Sequence, residues 1–195
     1  MMNKDAGVAE VSQAYLVGAV AQAEVGVINP PGTNLNATGG GPQGGGMDNR
    51  CIPEGWGRLA FADALTIRHG KDQKAVESID GQFPIFGTGG QMGWASEYLY
   101  DKPSVLIGRK GSINKPRYME TSFWTVDTLF YSEIKKDFNA KFVFYKFCMI
   151  NWELYNEASG VPSLNARTIE GVTALFPAYK EQTAIANVLS DVDAL

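Results

Sequence analysis

The sequence has few residues of the kinds that build disulfide frameworks, metal centres and proton relays. Its 195 residues include two cysteines, Cys51 and Cys148, and one histidine, His69. The cysteines are far apart in the chain and form no C-x-x-C pair, so neither a disulfide framework nor a zinc knuckle is indicated. A Ser-His relay or a Cys/His metal cluster would depend on His69 alone. We therefore expect no metal, no cofactor and a reducing, cytoplasmic environment.

Long apolar runs are also missing. The longest, residues 14–28, is interrupted by a glutamine and a glutamate, and it is shorter than a membrane-spanning helix requires. The residues before it carry Lys4 against Asp5 and Glu10, which is unlike the positive flank of a signal peptide. We expect neither export nor contact with a membrane.

What the chain does contain divides it into three parts. Residues 1–50 hold an irregular apolar stretch at 6–25, a weak helix candidate, and a linker at 29–49 that carries seven glycines. We predict that this part is a glycine-rich extension, and its role is open. Residues 51–178 are predicted to form one folded domain. Residues 179–195 are predicted to start a helix.

Short strands and helices are predicted to follow one another in the domain. Segments rich in β-branched and aromatic residues predict strands at 83–86, 104–107 and 125–131. Helical spacing predicts a short helix at 56–65, and a long apolar run predicts a buried helix at 139–152. The last segment has an apolar stripe at intervals of three and four residues, formed by Ile185, Val188, Leu189, Val192 and Leu195. Because such a stripe needs a partner surface, we expect a docking helix that is cut off before its end.

Positive charge is concentrated in one segment of an acidic chain. The net charge is −4, yet residues 102–117 contain five cations and no acid. Glycines flank the Arg109-Lys110 pair, which lets a backbone approach a phosphate closely. Such a segment suits DNA, because cations that neutralise phosphates release counterions. A solvated turn is the alternative. The candidate DNA contacts in this segment are Arg109, Lys110, Ser112, Lys115 and Arg117.

Two further segments carry candidate chemistry. Residues 86–94 form a glycine-rich loop that lacks the spacing of a nucleotide-binding motif. This loop offers Gln91 to pair with a base and Trp94 to stack on one, although a tight turn with a core tryptophan is equally consistent with it. An acid and an E-x-K, formed by Asp127, Glu133 and Lys135, are the ingredients of a Mg²⁺-dependent nuclease, but a surface turn is favoured.

Several segments from residue 52 to residue 195 together resemble the target recognition domain of type I restriction-modification specificity subunits. Each is weak alone, and their order and spacing make the resemblance specific. The segments are I-P-E-G-W at 52–56, G-Q-F-P-I-F-G-T-G-G at 81–90, S-V-L-I-G-R-K-G-S-I at 104–113, F-W-T-V-D-T-L-F-Y at 123–131, V-P-S-L-N at 161–165 and L-F-P-A-Y-K-E-Q-T-A-I-A-N-V-L-S-D-V-D at 175–193.

The resemblance implies a mixed α/β domain with a short mixed sheet, flanking helices and the start of a long helix at its end. It implies a reader of double-stranded DNA, without catalysis, that binds half of a split target. The partners implied are a methyltransferase subunit and, in full complexes, a restriction subunit. It adds Ser163, Asn165 and Arg167 as DNA-contact candidates. It does not indicate which DNA sequence is read.

The chain differs from the family pattern because it carries one recognition domain instead of two. This difference leaves an alternative open, in which the chain is a truncated assembly module that no longer binds DNA by itself. Such a module would occupy a methyltransferase subunit or form a homodimer through its C-terminal helix.

Overall fold

The computed structural model describes residues 52–194. The predictions for residues 1–50 and for Leu195 lie outside this part of the chain. The strands are β1 Gly57–Ala60, β2 Leu65–His69, β3 Phe83–Gly87, β4 Gly90–Ala95, β5 Ser104–Gly108, β6 Arg117–Met119, β7 Trp124–Thr125, β8 Leu129–Ile134 and β9 Thr173–Phe176. The helices are α1 Phe61–Ala64, α2 Ala140–Cys148, α3 Ala166–Gly171 and α4 Tyr179–Asp193, with a 3-10 helix at Trp152–Tyr155.

The strands form three small sheets. The largest has the order β2-β8-β5-β6, and its strand pairs are antiparallel. The second has the order β4-β3-β7, in which β3 pairs antiparallel with β4 and parallel with β7. The third pairs β1 with β9. The mixed α/β architecture predicted from the sequence is confirmed.

The main core lies between the four-stranded sheet and the helices. Strand β5 is buried along its whole length, as expected for an apolar run in a central strand. Phe61, Phe147 and Trp152 are fully buried together, and their rings meet at centroid distances of 4.7 Å for Phe61–Phe147 and 5.0 Å for Phe147–Trp152.

Helix α2 begins one residue after the start of the predicted span 139–152 and ends four residues before its end. The Asn139 side chain caps it by accepting a hydrogen bond from the Phe142 N–H, at 3.0 Å. The helix ends at Cys148 instead of residue 152, because the Asn151 side chain caps a separate 3-10 helix through the Glu153 N–H. The predicted span of 139–152 is therefore two helices, and the second turns Trp152 into the core.

The other local predictions are partly corrected. Strands 83–86 and 104–107 are confirmed, each with one further residue. The predicted helix at 56–65 is wrong over most of its length: residues 61–64 make a single turn between β1 and β2, because both flanking segments pair in sheets. The predicted strand at 125–131 is two strands, since a turn closed by the Leu129 N–H and the Val126 carbonyl moves the chain between sheets. The loop at 86–94 is mostly the β3–β4 hairpin.

Helix α4 is bound to α2 by polar contacts along its length. Gln182 is buried, with its Oε1 accepting from the Asn139 N–H and its Nε2 donating to the Pro177 carbonyl, both at 2.9 Å. Further along, Lys141 donates to the Ser190 hydroxyl at 2.7 Å, and the Tyr145 hydroxyl donates to the Asp193 carboxylate at 2.7 Å. The helix is thus part of the domain over the whole length that the structure describes.

Candidate DNA interface

The candidate site begins where β5 leaves the core. After the buried Gly108, the chain enters a loop whose first residues are held by the turn that precedes β8. The Arg109 and Lys110 N–H groups both donate to the Thr128 carbonyl, at 2.8 and 3.2 Å. The Arg109 guanidinium donates to the Asp127 carbonyl at 3.2 Å. This loop therefore presents its two cations on an ordered backbone.

Two glycines permit the loop to turn this tightly. A Cβ added at Gly108 would lie 2.4 Å from the Ser112 carbonyl oxygen, a distance that no side chain can occupy. Gly111 has a φ of +91°, in the region that favours glycine. Ile113 is buried and anchors the far end of the loop in the main core. The sequence pattern G-R-K-G is thus a requirement of the backbone as well as a source of charge.

A second loop, residues 162–165, is joined to the first by its backbone. The Gly111 N–H donates to the Pro162 carbonyl at 2.9 Å, and the Leu164 N–H donates to the Arg109 carbonyl at 3.0 Å. Lys110 and Ser163 form an isolated antiparallel bridge. Two segments some fifty residues apart in the chain therefore form one surface.

This surface encloses an open cleft of about 420 Å³. Five of the ten DNA-contact candidates line it: Arg109, Lys110, Ser163, Asn165 and Arg167. The cleft also includes two polar residues that sequence reasoning did not select, His69 and Glu157. No local sequence pattern predicts either of them. His69 lies in the cleft because β2 pairs with β8, and Glu157 lies there because its N–H donates to the Ser163 carbonyl in the second loop.

The cleft is electropositive. Three cations, Arg109, Lys110 and Arg167, face one carboxylate, that of Glu157. Lys110 and Arg167 are exposed, and no ion pair joins any of the three cations to another residue in the part of the chain that the structure describes. Their charge is thus available to an anionic ligand.

Asn165 differs from the other lining residues because its side chain is already in use. Its Oδ1 caps α3 by accepting from the Thr168 N–H at 2.7 Å, and its Nδ2 donates to Glu157. The Thr168 hydroxyl donates to the same carboxylate oxygen. Asn165 thereby positions Glu157 and the start of α3.

The other five DNA-contact candidates lie outside the cleft lining. Ser112 and Lys115 are exposed on the cationic loop. Arg117 is half-buried in β6, and its guanidinium lies about 3.6 Å from the position of a Cβ on Gly90, so it flanks the β3–β4 turn. That turn leads into β4, where Gln91 is exposed and Trp94 is 46% exposed. The β3–β4 hairpin therefore adjoins the cationic loop and extends its surface.

The apolar stripe of α4 is divided between two environments. Ile185 and Leu189 pack against the domain's own core. Val188 and Val192 are 63% and 41% exposed and are the members of the stripe that remain open to a partner within residues 52–194.

The residues suggested for a nuclease do not converge. Asp127 lies in the turn before β8 and Glu133 near the far end of that strand. The four residues from Leu129 to Glu133 span roughly 13 Å at about 3.3 Å per residue, which keeps the two carboxylates apart. Glu133 pairs with Arg68 at 2.9 Å, and Lys135 donates to the Ala62 carbonyl at 2.6 Å. Among residues 52–194, no group of three or more His, Cys, Asp or Glu side chains is arranged to hold a metal ion.

In the same range, no helix is long and apolar enough to cross a membrane.

Comparison with known families identifies the domain. The family of the type I restriction modification DNA specificity domain matches residues 53–195, more than half of the chain. The chain belongs to this family. No curated protein matches it.

Solved structures support this specificity domain at the level of the fold. The S subunit of a type I restriction-modification system from M. genitalium is 18% identical, with a TM-score of 0.62 over 76% of this chain and 41% of that one. The HsdS subunit from Thermoanaerobacter tengcongensis is 14% identical, with a TM-score of 0.62 over 97% and 45% of the two chains. A chain from a structure of type I R-M complex assembly and conformational transition is 15% identical, with a TM-score of 0.66 over 97% and 46%. The chain thus spans less than half the length of each of these proteins.

Proposed function

We propose that this specificity domain reads the sequence of double-stranded DNA through the cleft and the hairpin beside it. The observation that carries the proposal is the joining of the cationic loop to the loop before α3 by backbone hydrogen bonds and the Lys110–Ser163 bridge. This junction brings Arg109 and Lys110 to the same open cleft as Arg167 of α3. Within residues 52–194 these cations form no ion pair, and cations held on an ordered backbone suit a polyanion of fixed shape. Membership in the DNA specificity family supports the same ligand.

Within this proposal the residues have different tasks. Lys110, Lys115 and Arg117 contact phosphates and set the register of the protein on the duplex, because phosphate contacts position a reader without specifying sequence. Arg109 and Arg167 are candidates for bidentate contacts to guanine, and each good bidentate pair discriminates by about 1–3 kcal/mol. Ser163 is a hydroxyl donor at the second loop, and Ser112 is one on the cationic loop. Gln91 and Trp94 extend the contact along β4.

We further propose that the chain reads one half-site and delivers it to larger subunits. Residues 51–178 form the recognition unit, and residues 179–195 start the docking helix, whose exposed Val188 and Val192 face a methyltransferase subunit. A restriction subunit joins in the full complex, and the system operates in the cytoplasm, where its DNA is. The M. genitalium protein, named as the S subunit of a type I restriction-modification system, and the T. tengcongensis protein, named as an HsdS subunit, support these partners by family analogy.

We also propose that the domain itself performs no chemistry. The separation of Asp127 from Glu133 along β8 and the engagement of Glu133 by Arg68 support recognition without cleavage. A cleavage assay with and without Mg²⁺ tests this point, and metal-dependent cutting abolished by Glu133→Gln would overturn it.

Selection from a randomised duplex pool tests the function. The purified chain, alone and with a methyltransferase subunit, is incubated with the pool, and the bound fraction is sequenced. Enrichment of one short motif is expected, and the partner should increase yield without changing the motif. No enrichment in either arm would refute sequence reading and favour the assembly-module alternative.

A further inference from the structure

The carboxylate of Glu157 would be unexpected if the cleft bound nothing but phosphate. It is the one carboxylate among the cleft-lining residues, beside Arg109, Lys110 and Arg167, and it forms no ion pair with any of them in residues 52–194. A carboxylate repels a phosphate, so a phosphate bound directly at Glu157 would be disfavoured. Its position therefore marks a part of the cleft suited to a hydrogen-bond donor.

The carboxylate is also held in a fixed orientation. Its Oε1 accepts hydrogen bonds from the Asn165 amide and from the Thr168 hydroxyl. The Glu157 backbone N–H donates to the Ser163 carbonyl at 3.0 Å, which ties the residue to the second loop. Its other oxygen, Oε2, accepts no hydrogen bond from the described residues. One acceptor is thus used for positioning and one is left for a ligand.

Few groups on a DNA duplex can use that acceptor. Backbone phosphates only accept hydrogen bonds, and so do guanine O6, thymine O4 and the N7 atoms of both purines in the major groove, whereas the exocyclic amino groups of cytosine and adenine donate them there. We propose that Glu157 is a specificity-determining residue whose Oε2 accepts a hydrogen bond from such an amino group. One position of the target is thereby fixed as cytosine or adenine on the strand facing the cleft. This inference rests on the proposed DNA-reading function.

The Glu157→Gln variant tests the inference sharply. Glutamine keeps the carbonyl Oε1 that Asn165 and Thr168 bind, and it replaces the acceptor Oε2 by an amide donor. Selection from the randomised duplex pool is run in parallel for both proteins. We expect one position of the motif to change from an amino-bearing base to a carbonyl-bearing base, guanine or thymine, while the other positions are retained.

Binding isotherms quantify the same change. On the duplex selected by the wild-type protein, replacing the amino-bearing base at that position by a carbonyl-bearing one should weaken wild-type binding by roughly ten- to a hundredfold. The Glu157→Gln protein should bind the replaced duplex more tightly than the original. Whether the selected base is cytosine or adenine distinguishes the two sources of the amino group.

Glu153→Gln is the matched control, because Glu153 is exposed in the neighbouring 3-10 helix and outside the cleft lining. It should leave the motif unchanged. If the wild-type protein selects a motif and Glu157→Gln selects the identical one, the inference is overturned while the DNA-reading function stands. If the wild-type protein selects no motif even with the methyltransferase subunit, the function itself fails and the inference with it.

Discussion

Lys110 and Ser163 form an antiparallel bridge between two loops that belong to different parts of the fold. One loop follows the central strand of the main sheet, and the other precedes the short helix α3. The bridge makes the position of one loop depend on the other, so it sets where Arg109 and Lys110 lie relative to Arg167 of α3. Changes at the bridge are therefore expected to alter binding more than they alter folding.

The first prediction concerns the charge of the cationic loop. Replacing Arg109 and Lys110 together by alanine should weaken DNA binding, because two cations can then no longer bind phosphates or base edges. The slope of log K against log salt concentration should become less steep by up to about 1.8, at roughly 0.9 for each phosphate that the variant no longer neutralises. Fluorescence anisotropy with a labelled duplex at several salt concentrations measures both quantities.

A double variant of equal charge provides the control. Lys136 and Lys180 are exposed and lie near the opposite end of β8 from the cleft, beside the contacts that start α2 and α4. Their joint replacement by alanine should leave the slope almost unchanged. Equal effects of the two double variants would show that net charge, and not the cleft, governs binding.

The second prediction concerns Gly111. With a φ of +91°, this residue is strained by any side chain, although a Cβ there would meet the Thr88 hydroxyl at an ordinary 3.5 Å. Gly111→Ala should therefore lower the free energy of unfolding by about 1 kcal/mol and weaken DNA binding further by moving the loop. Gly160 has no such φ and no atom near an added Cβ, so Gly160→Ala should leave the unfolding free energy within about 0.5 kcal/mol of wild type. Urea unfolding compares the two.

Much of the fold follows from local sequence patterns, as do Arg109 and Lys110 of the cleft, whereas Ser163, Asn165 and Arg167 were indicated by the family resemblance. Strands β3 and β5 were predictable because β-branched and aromatic residues alternate with turn signals, and the loop after β5 because glycines bracket Arg109 and Lys110. The segment 56–65 misled the prediction because helical spacing of Leu59, Ala62 and Leu65 also fits a strand, a single turn and another strand. Its outcome was decided by pairing with β9 and β8, which are far away in the chain.

The rest of the site depends on contacts that no single segment encodes. His69 lies in the cleft because β2 pairs with β8 in one register, with His69 opposite Phe130. Glu157 lies there because its N–H binds the Ser163 carbonyl. A one-residue shift in the strand pairing would turn His69 to the other face of the sheet, and nothing near position 69 specifies that register.

The third prediction separates the two kinds of residue on the α4 stripe. Val188→Asp should change the free energy of unfolding by less than about 0.5 kcal/mol, since Val188 is exposed and the two residues have similar helix propensity. It should nevertheless abolish association with a methyltransferase subunit, because a charge replaces an apolar side chain in the docking face that we propose. Leu189→Ala should destabilise the domain by about 1–3 kcal/mol, since Leu189 packs on the core. Urea unfolding and co-purification measure the two effects, and unimpaired co-purification of Val188→Asp would contradict this docking face.

The fourth prediction concerns alkaline pH. Burial, with a smaller contribution from the Asp193 carboxylate, raises the pKa of the Cys148 thiol to about 12. In the unfolded chain the thiol titrates near its ordinary pKa of about 8.5, so its stabilising contribution is complete below that pH and is lost as pH rises towards 12. Between pH 8 and pH 10 the wild-type protein should lose up to about 2 kcal/mol more unfolding free energy than Cys148→Ala does. Urea unfolding of both proteins in a Cys51→Ser background measures this difference, and parallel curves would refute the assignment.

The polar contacts between α2 and α4 determine more than stability. Because Gln182 binds the N-cap of α2 and because Ser190 and Asp193 bind residues of α2, the axis of α4 has a fixed direction relative to α2. Any module carried further along this helix is then rotated by about 100° and displaced by about 1.5 Å for each residue inserted. The number of residues in the helix would therefore set the rotation and the distance between the cleft and a second DNA-reading module on the same helix. Helix length, and not the flexibility of a hinge, would then decide which side of a DNA duplex that module contacts.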